Sequence, residues 1–109
     1  SNLTLQGYMG MSFMLLSKYS YNPYEKIYYF KKGSSILDQA IEEDKENIEL
    51  RFLRFTVQSE APIFLNYRSA LSSDFTFIHT HVNNIMDFDL KKRINDFLYY
   101  QKYVATETN

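Results

Sequence analysis

Several residue types are missing or scarce in this chain of 109 residues, and each absence narrows the class of protein. Cysteine is absent, which excludes disulfides, thiolate zinc sites and cysteine nucleophiles. With only 3 glycines and 2 prolines, the chain has few of the turn-forming residues that an all-β fold needs. Its long segments without such residues favour helices. The longest apolar run, at residues 13–16, is far shorter than the roughly 18 residues that cross a bilayer.

An excess of positive charge is also lacking. The net charge of −1 argues against a nucleic-acid-binding protein, which usually has a clear basic excess. Because no apolar run is long enough to cross a bilayer, we expect a soluble protein. The absence of cysteine does not decide its compartment, which is either the cytoplasm or, after loss of a leader, outside the cell. The length predicts one helical domain over residues 1–109. A helical pattern that begins at the first residues is also what a piece of a longer precursor would show.

The segment from Ile27 to Val57 carries the clearest structural pattern. Before it, Asn22 and Pro23 are a helix start signal, because asparagine caps well and proline fits the first helical turn. Apolar and small residues then recur at spacings of three and four, at Ile27, Phe30, Gly33, Leu37, Ala40 and Ile41. An acidic turn at residues 42–47 precedes a helix predicted over 48–60, with Asn47 as its cap. This pattern predicts an αα-hairpin.

Three further segments have helical periodicity, at residues 3–19, 75–85 and 90–101, so we predict an all-α fold of about five helices. The stripe predicted for the first segment is Leu3, Tyr8, Met11, Leu15 and Tyr19. The helix at 48–60 is apolar on several sides, which predicts that it is sandwiched between neighbours. Ser72 or Ser73 is the expected cap of the fourth helix, and Asp87 or Asp89 that of the fifth. In the first segment, Gly7 and Gly10 indicate either a close approach by a neighbouring helix or a frayed start.

Part of the hairpin resembles the tetratricopeptide repeat. Gly33, Leu37 and Ala40 fill the small, large apolar and small positions of its second helix, and the segment from Asn47 resembles the first helix of a following repeat. This resemblance covers roughly residues 8 to 60 and implies helical hairpins packed in a tetratricopeptide-like array. The chain is also similar to a family of small bacterial proteins with no assigned activity. Residues 47–54, Gln58 and the segment Pro62–Tyr67 carry that second resemblance.

Two histidines are the first candidates for chemistry. On a helix, residues two apart point roughly 200° apart, so His79 and His81 cannot share one metal ion. Zinc-binding helices place their histidines four apart for this reason. We therefore predict no metal site and no cofactor.

The other candidates are a row of polar residues and a cluster of tyrosines. Arg51, Arg54 and Gln58 share one helical face, and either bind a partner's anion or form ion pairs with Asp38 and the acidic turn. Tyrosine and arginine are enriched in binding hot spots. We therefore predict a binding face on the hairpin, built from Tyr24, Tyr28, Arg51, Arg54 and Tyr67.

Two function classes follow from these patterns. The first is a non-catalytic helical scaffold or interaction module that binds a protein or peptide, or self-associates. The second is a small-molecule-binding or enzymatic domain that uses the His79 and His81 helix together with Arg51 and Arg54. An enzyme needs several polar groups in one concavity, whereas an interaction module needs an exposed aromatic or apolar patch. The polar residues lie on separate helical rows, which favours the first class.

Overall fold

The fold is all-α, as predicted. The computed structural model describes residues 2–61 and 65–108, with side chains described as far as residue 100. Within those ranges there is no strand, and five α-helices follow one another: α1 (Asn2–Tyr19), α2 (Pro23–Glu43), α3 (Ile48–Glu60), α4 (Leu71–His81) and α5 (Phe88–Thr108).

Helices α1 and α2 form an antiparallel pair whose closest approach is made by glycines. The side chain of Asn22 caps α2, its Oδ1 accepting the Tyr24 N–H at 2.8 Å, with Pro23 at the first position. A Cβ added to Gly10 would lie 2.6 Å from the Gly33 carbonyl oxygen, so the two backbones touch where these residues cross. Of the two predicted readings of the glycines in α1, the close approach is therefore the one observed.

Helix α3 lies between two hydrophobic clusters, which confirms the predicted sandwich. Its Leu50 and Leu53 pack against α1 and α2, in a cluster that also contains Met14, Phe30, Leu37, Ala40, Ile41 and Ala61. Its Phe52 and Phe55 pack on the other side, with Ile78, Val82, Leu90 and Ile94. The predicted stripe of α2 is buried apart from Ile27, which is 39% exposed.

The starts of α3 and α5 agree with the prediction, and the start of α4 does not. The Oδ1 atom of Asn47 accepts the Leu50 N–H, and the Oδ1 atom of Asp87 accepts the Leu90 N–H. Helix α4 begins at Leu71, before Ser72 and Ser73, and has no side-chain cap. It ends at His81, and a single 3-10 turn over Val82–Asn84 leads towards α5.

Candidate functional site

The carboxylate of Asp74 lies at the centre of a buried polar network. Its side chain is fully buried on α4 and faces α3. Arg54 donates two hydrogen bonds to it, from Nε to Oδ2 at 2.7 Å and from Nη2 to Oδ1 at 2.9 Å. Arg51 donates from Nη1 at 3.3 Å, and Gln58 donates from Nε2 at 2.9 Å. The predicted row of α3 therefore shares a single acceptor.

A second carboxylate, that of Asp38 on α2, extends the network. Its Oδ1 atom accepts hydrogen bonds from Arg54 Nη1 at 3.2 Å and from the Tyr67 hydroxyl at 2.7 Å. Burial alone would lower the pKa of Arg54, but the hydrogen bonds and charge of Asp74 outweigh it and raise the pKa above its usual range. Burial, together with the charge of Asp38, raises the pKa of Tyr67 well above its ordinary value. Arginine therefore stays charged and tyrosine stays neutral.

This network is saturated. The oxygen of Gln58 accepts the Ala70 N–H at 3.0 Å, and every buried side-chain nitrogen or oxygen in the described ranges has a hydrogen-bond partner. The network joins α2, α3, α4 and the connection before α4. Since its buried donors and acceptors are already paired inside the protein, its geometry suits holding helices together better than binding a ligand.

The partners of the arginines were predicted only in part. Asp38 pairs with Arg54 as expected, whereas the acidic turn contributes only the Lys45 carbonyl, which accepts from Arg51 Nε at 2.8 Å. Asp74 was missed. Its sequence signal is its position between Leu71 and Ile78, at spacings of three and four, which places a carboxylate on the apolar stripe of α4.

The structure does not bring the five predicted binding residues onto one face. Tyr24 and Tyr28 are exposed near the corner between α1 and α2. The side chains of Arg51 and Arg54 are only 14% and 13% exposed and are engaged with Asp74. Tyr67 packs its ring on Phe30 and its hydroxyl on Asp38. Two of the five residues therefore lie on the surface, and the other three belong to the interior network.

The two histidines face different grooves, as their spacing predicts. His79 stacks on Phe75 and lines a groove of about 590 Å³ between α4 and α5. His81 stacks on Phe77 in a groove of about 660 Å³ that also includes Arg51 and the hydroxyls of Ser69, Ser72, Ser73, Thr76 and Thr80. The alternative site set is therefore brought together only for Arg51 and His81. Among the described residues, no three His, Asp or Glu side chains converge as metal ligands would.

The outer face of α1 is the surface that the sequence analysis did not single out. Leu5, Met9 and Leu16 are 67%, 52% and 51% exposed on the side opposite the buried glycines. Lys18 is the only charged residue in this helix. A helix that is apolar all round is normally buried on all sides. Here α1 packs against α2 and α3, and its Tyr8 also contacts Arg93 of α5, while Leu5, Met9 and Leu16 stay exposed.

A group of exposed tyrosines continues this apolar surface at the corner between α1 and α2. Tyr21 is 100% exposed and Tyr24 is 84% exposed, and Tyr19 and Tyr28 are exposed beside them. Tyr28 also lies edge-on to Tyr29, and the Lys32 ammonium lies 5.8 Å from the centre of its ring. We call this group the tyrosine corner: Tyr19, Tyr21, Tyr24 and Tyr28.

Comparison of the chain with protein-family models, with curated proteins and with solved structures finds no match. The tetratricopeptide resemblance and the bacterial family therefore remain predictions from the sequence. None of the helices in the described ranges is both long enough and apolar enough to cross a membrane.

Proposed function

We propose that this protein is a non-catalytic helical interaction module whose working surface is the outer face of α1 together with the tyrosine corner. The observation that carries the proposal is the exposure of Leu5, Met9 and Leu16 on one uncharged face. Contiguous apolar patches of this kind mark interaction sites on folded proteins.

The energetic case rests on the area that a partner would remove from water. Full burial of a leucine or methionine contributes about 1.5–3 kcal/mol. Leu5, Met9 and Leu16 keep half or more of their area exposed, so covering them would contribute about 1 kcal/mol each. These residues alone support a modest affinity, and the tyrosine corner supplies the aromatic anchors that hot spots favour. Of the predicted binding residues, Tyr24 and Tyr28 belong to this surface.

A second candidate function is the binding of a small ligand in the groove that contains Arg51 and His81. Several hydroxyl groups line that groove, which suits a polar molecule. It ranks second because Arg51 is already committed: it bonds to Asp74 and the Lys45 carbonyl, and its guanidinium lies 4.6 Å from the centre of the Phe77 ring. A ligand-induced rise in melting temperature that is lost in His81→Ala would favour this function.

The proposed surface can be tested by capture of partners with matched variants. The chain would be immobilised as wild type, as Met9→Glu/Leu16→Glu, and as Met86→Glu, and each would be exposed to an extract of the source cells. Met86 is 97% exposed in the connection between α4 and α5 and is therefore a control for adding glutamate to an exposed methionine. Circular dichroism would confirm that all three are folded.

We expect the wild type and Met86→Glu to retain the same protein, either another chain or further copies of this one. The double variant should lose it, because two carboxylates would have to be buried against an apolar partner. Retention of the same proteins by all three forms would contradict the proposal, since the outer face of α1 would then have no part in binding.

A further inference from the structure

We infer that the partner of this surface is a second copy of the chain, packed with its α1 antiparallel to the first α1. This inference rests on the proposed function, because it names the occupant of the same surface. Three features of α1 and its surroundings carry it: the spacing of the exposed residues, the position of a small residue among them, and the distribution of charge along the hairpin.

The exposed residues of α1 follow the spacing of a coiled-coil seam. Leu5, Met9, Ser12, Leu16 and Tyr19 are separated alternately by four and three residues, and all five are exposed. That repeat keeps one seam of a helix facing a partner helix along its whole length. A second α1 carries the same repeat and can therefore mesh with the first over the roughly 27 Å of an 18-residue helix.

One antiparallel register places a large residue opposite a small one at the centre of the seam. When Leu5 lies opposite the partner's Leu16, Met9 lies opposite the partner's Ser12, so the long methionine fills the space that serine leaves. Large and small residues alternate in this way across well-packed helices. The serine adds no unpaired polar group, because its Oγ donates to the Tyr8 carbonyl of its own helix at 3.1 Å.

Charge along the α1–α2 hairpin favours the same orientation. The half nearer the tyrosine corner has four lysines against one glutamate: Lys18, Lys26, Lys31, Lys32 and Glu25. The opposite end meets the acidic turn and the start of α3, with five carboxylates against one lysine in residues 42–49, and Arg93 of α5 lies there beside Tyr8. Hydrogen bonds from Tyr8 to Glu49 and from Asn47 to Thr4 hold that acidic end beside the start of α1. An antiparallel pair places each basic half beside the partner's acidic end.

The area available is close to what a stable dimer requires. The seam is flanked by the exposed side chains of Tyr8 and Leu15. In the antiparallel pair, the tyrosine corner of each copy lies over the start of the partner's α1, and a tyrosine can bury about 150–250 Å². The area that a second copy could bury on the seam, the two flanking residues and the tyrosine corner approaches the roughly 800 Å² per partner of a standard interface.

The first test is sedimentation equilibrium of the full chain. Wild type and Met86→Glu should sediment as dimers, and Met9→Glu/Leu16→Glu should show a dissociation constant raised at least tenfold. Raising the salt from about 50 mM to 500 mM should weaken the wild-type dimer, since part of the attraction is between exposed charges. A wild type that stays monomeric at every concentration would overturn the inference.

The second test uses the absence of native cysteine to read the orientation. An equimolar mixture of Leu5→Cys and Leu16→Cys should form a disulfide-linked dimer on mild oxidation, while Leu5→Cys alone should not. Efficient linking of Leu5→Cys to itself, with no mixed Leu5→Cys/Leu16→Cys dimer in the mixture by mass spectrometry, would indicate parallel helices and overturn the inference. If the wild type is monomeric but still captures a different protein through Met9 and Leu16, the proposed function stands and the second copy is excluded.

Discussion

At the scale of single residues, Asp74 has the most consequential position in the described structure. Its carboxylate is fully buried and receives hydrogen bonds from Arg51, Arg54 and Gln58. Burying a charge is costly unless partners surround it. Once it is surrounded, removal of the central acceptor leaves the two arginines without their shared counterion in a partly buried site.

Replacing Asp74 with alanine should therefore destabilise the fold by about 3–5 kcal/mol, measured by urea unfolding. The matched control is Asp96→Ala, which breaks the pair between Lys92 and Asp96 at the surface of α5. That change should leave the urea midpoint almost unchanged, because water solvates both partners. Equal effects of the two substitutions would show that the Asp74 network contributes no more than a surface ion pair.

Tyr67 gives the fold a dependence on alkaline pH. Its pKa is raised in the native state by burial and by Asp38, whereas the pKa of a tyrosine in the unfolded chain is about 10. Above that pH the native state holds more protons than the unfolded state, so stability falls as pH rises. Below about pH 9 both states are protonated and the contribution is fully present.

The variant Tyr67→Phe should accordingly unfold at lower urea than wild type at pH 7, having lost the hydrogen bond to Asp38. The gap between the two proteins should narrow between about pH 9 and 11, because only the wild type has to keep this phenol protonated. Urea melts of both proteins at several pH values measure the gap. A gap that stays constant over this range would contradict the assigned role of Tyr67.

Only the part of this network that lies on α3 was predicted from the sequence. The row of Arg51, Arg54 and Gln58 was predictable because helical spacing alone puts the three side chains on one face. Asp74 was not predicted, since the position of α4 relative to α3 depends on packing between residues twenty positions apart. The placing of Tyr67 beside Asp38 depends on the path of the chain from α3 to α4, which has no periodic pattern.

At the scale of helices, the crossing of α1 and α2 sets how close the hairpin packs. Gly33 lies where a Cβ would meet the backbone of Gly10 and the Met14 side chain. Alanine is a better helix former than glycine by about 1 kcal/mol, but it has no space at this crossing. The two effects oppose each other, and the contact with rigid backbone decides the outcome.

We expect Gly33→Ala to lower the free energy of unfolding by about 1–3 kcal/mol through overpacking. Ser35→Ala, at an exposed position two residues further along α2, makes a comparable gain in helix propensity without the contact. It should leave stability unchanged or slightly raise it. A stabilising Gly33→Ala in thermal or urea melts would mean that the helices can separate at the crossing without cost.

Elements with one apolar stripe were predictable, and the element without one was not. Helices α2 and α3 carry apolar stripes and asparagine caps, and both were predicted close to their observed bounds. The predicted start of helix α4 was wrong because Ser72 or Ser73 was expected to cap it. The residue at the cap position is Ala70, whose N–H donates to the side-chain oxygen of Gln58. The apolar stripe predicted for α1 is wrong in part, because Tyr8, Leu15 and Tyr19 are exposed and the buried side carries Gly7, Gly10 and Met14. Apolar residues extend around this helix, so its sequence pattern does not single out the side that faces the core.

At the scale of the whole molecule, the two hydrophobic clusters lie on either side of α3, and the Asp74 network ties α3 to α4 and α2. This arrangement leaves the outer side of α1 without a neighbour in the described structure, although its residues are those of a buried helix. Within the described ranges the molecule therefore combines a well-satisfied interior with an apolar edge along α1. That edge is the basis of the proposed interaction and of the inferred antiparallel pair.

Oxidation of individual methionines by dilute peroxide, followed by mass spectrometry, tests this central claim most directly. Met9 lies on the outer face of α1 and Met86 lies apart from it, and both are exposed, whereas Met14 is buried. We expect oxidation of Met9 to slow markedly as protein concentration rises through the dimer range, while Met86 reacts at a constant rate and Met14 stays slow. If the rate of Met9 oxidation does not change with protein concentration, the outer face of α1 is not covered by a second copy, and the inferred dimer is wrong.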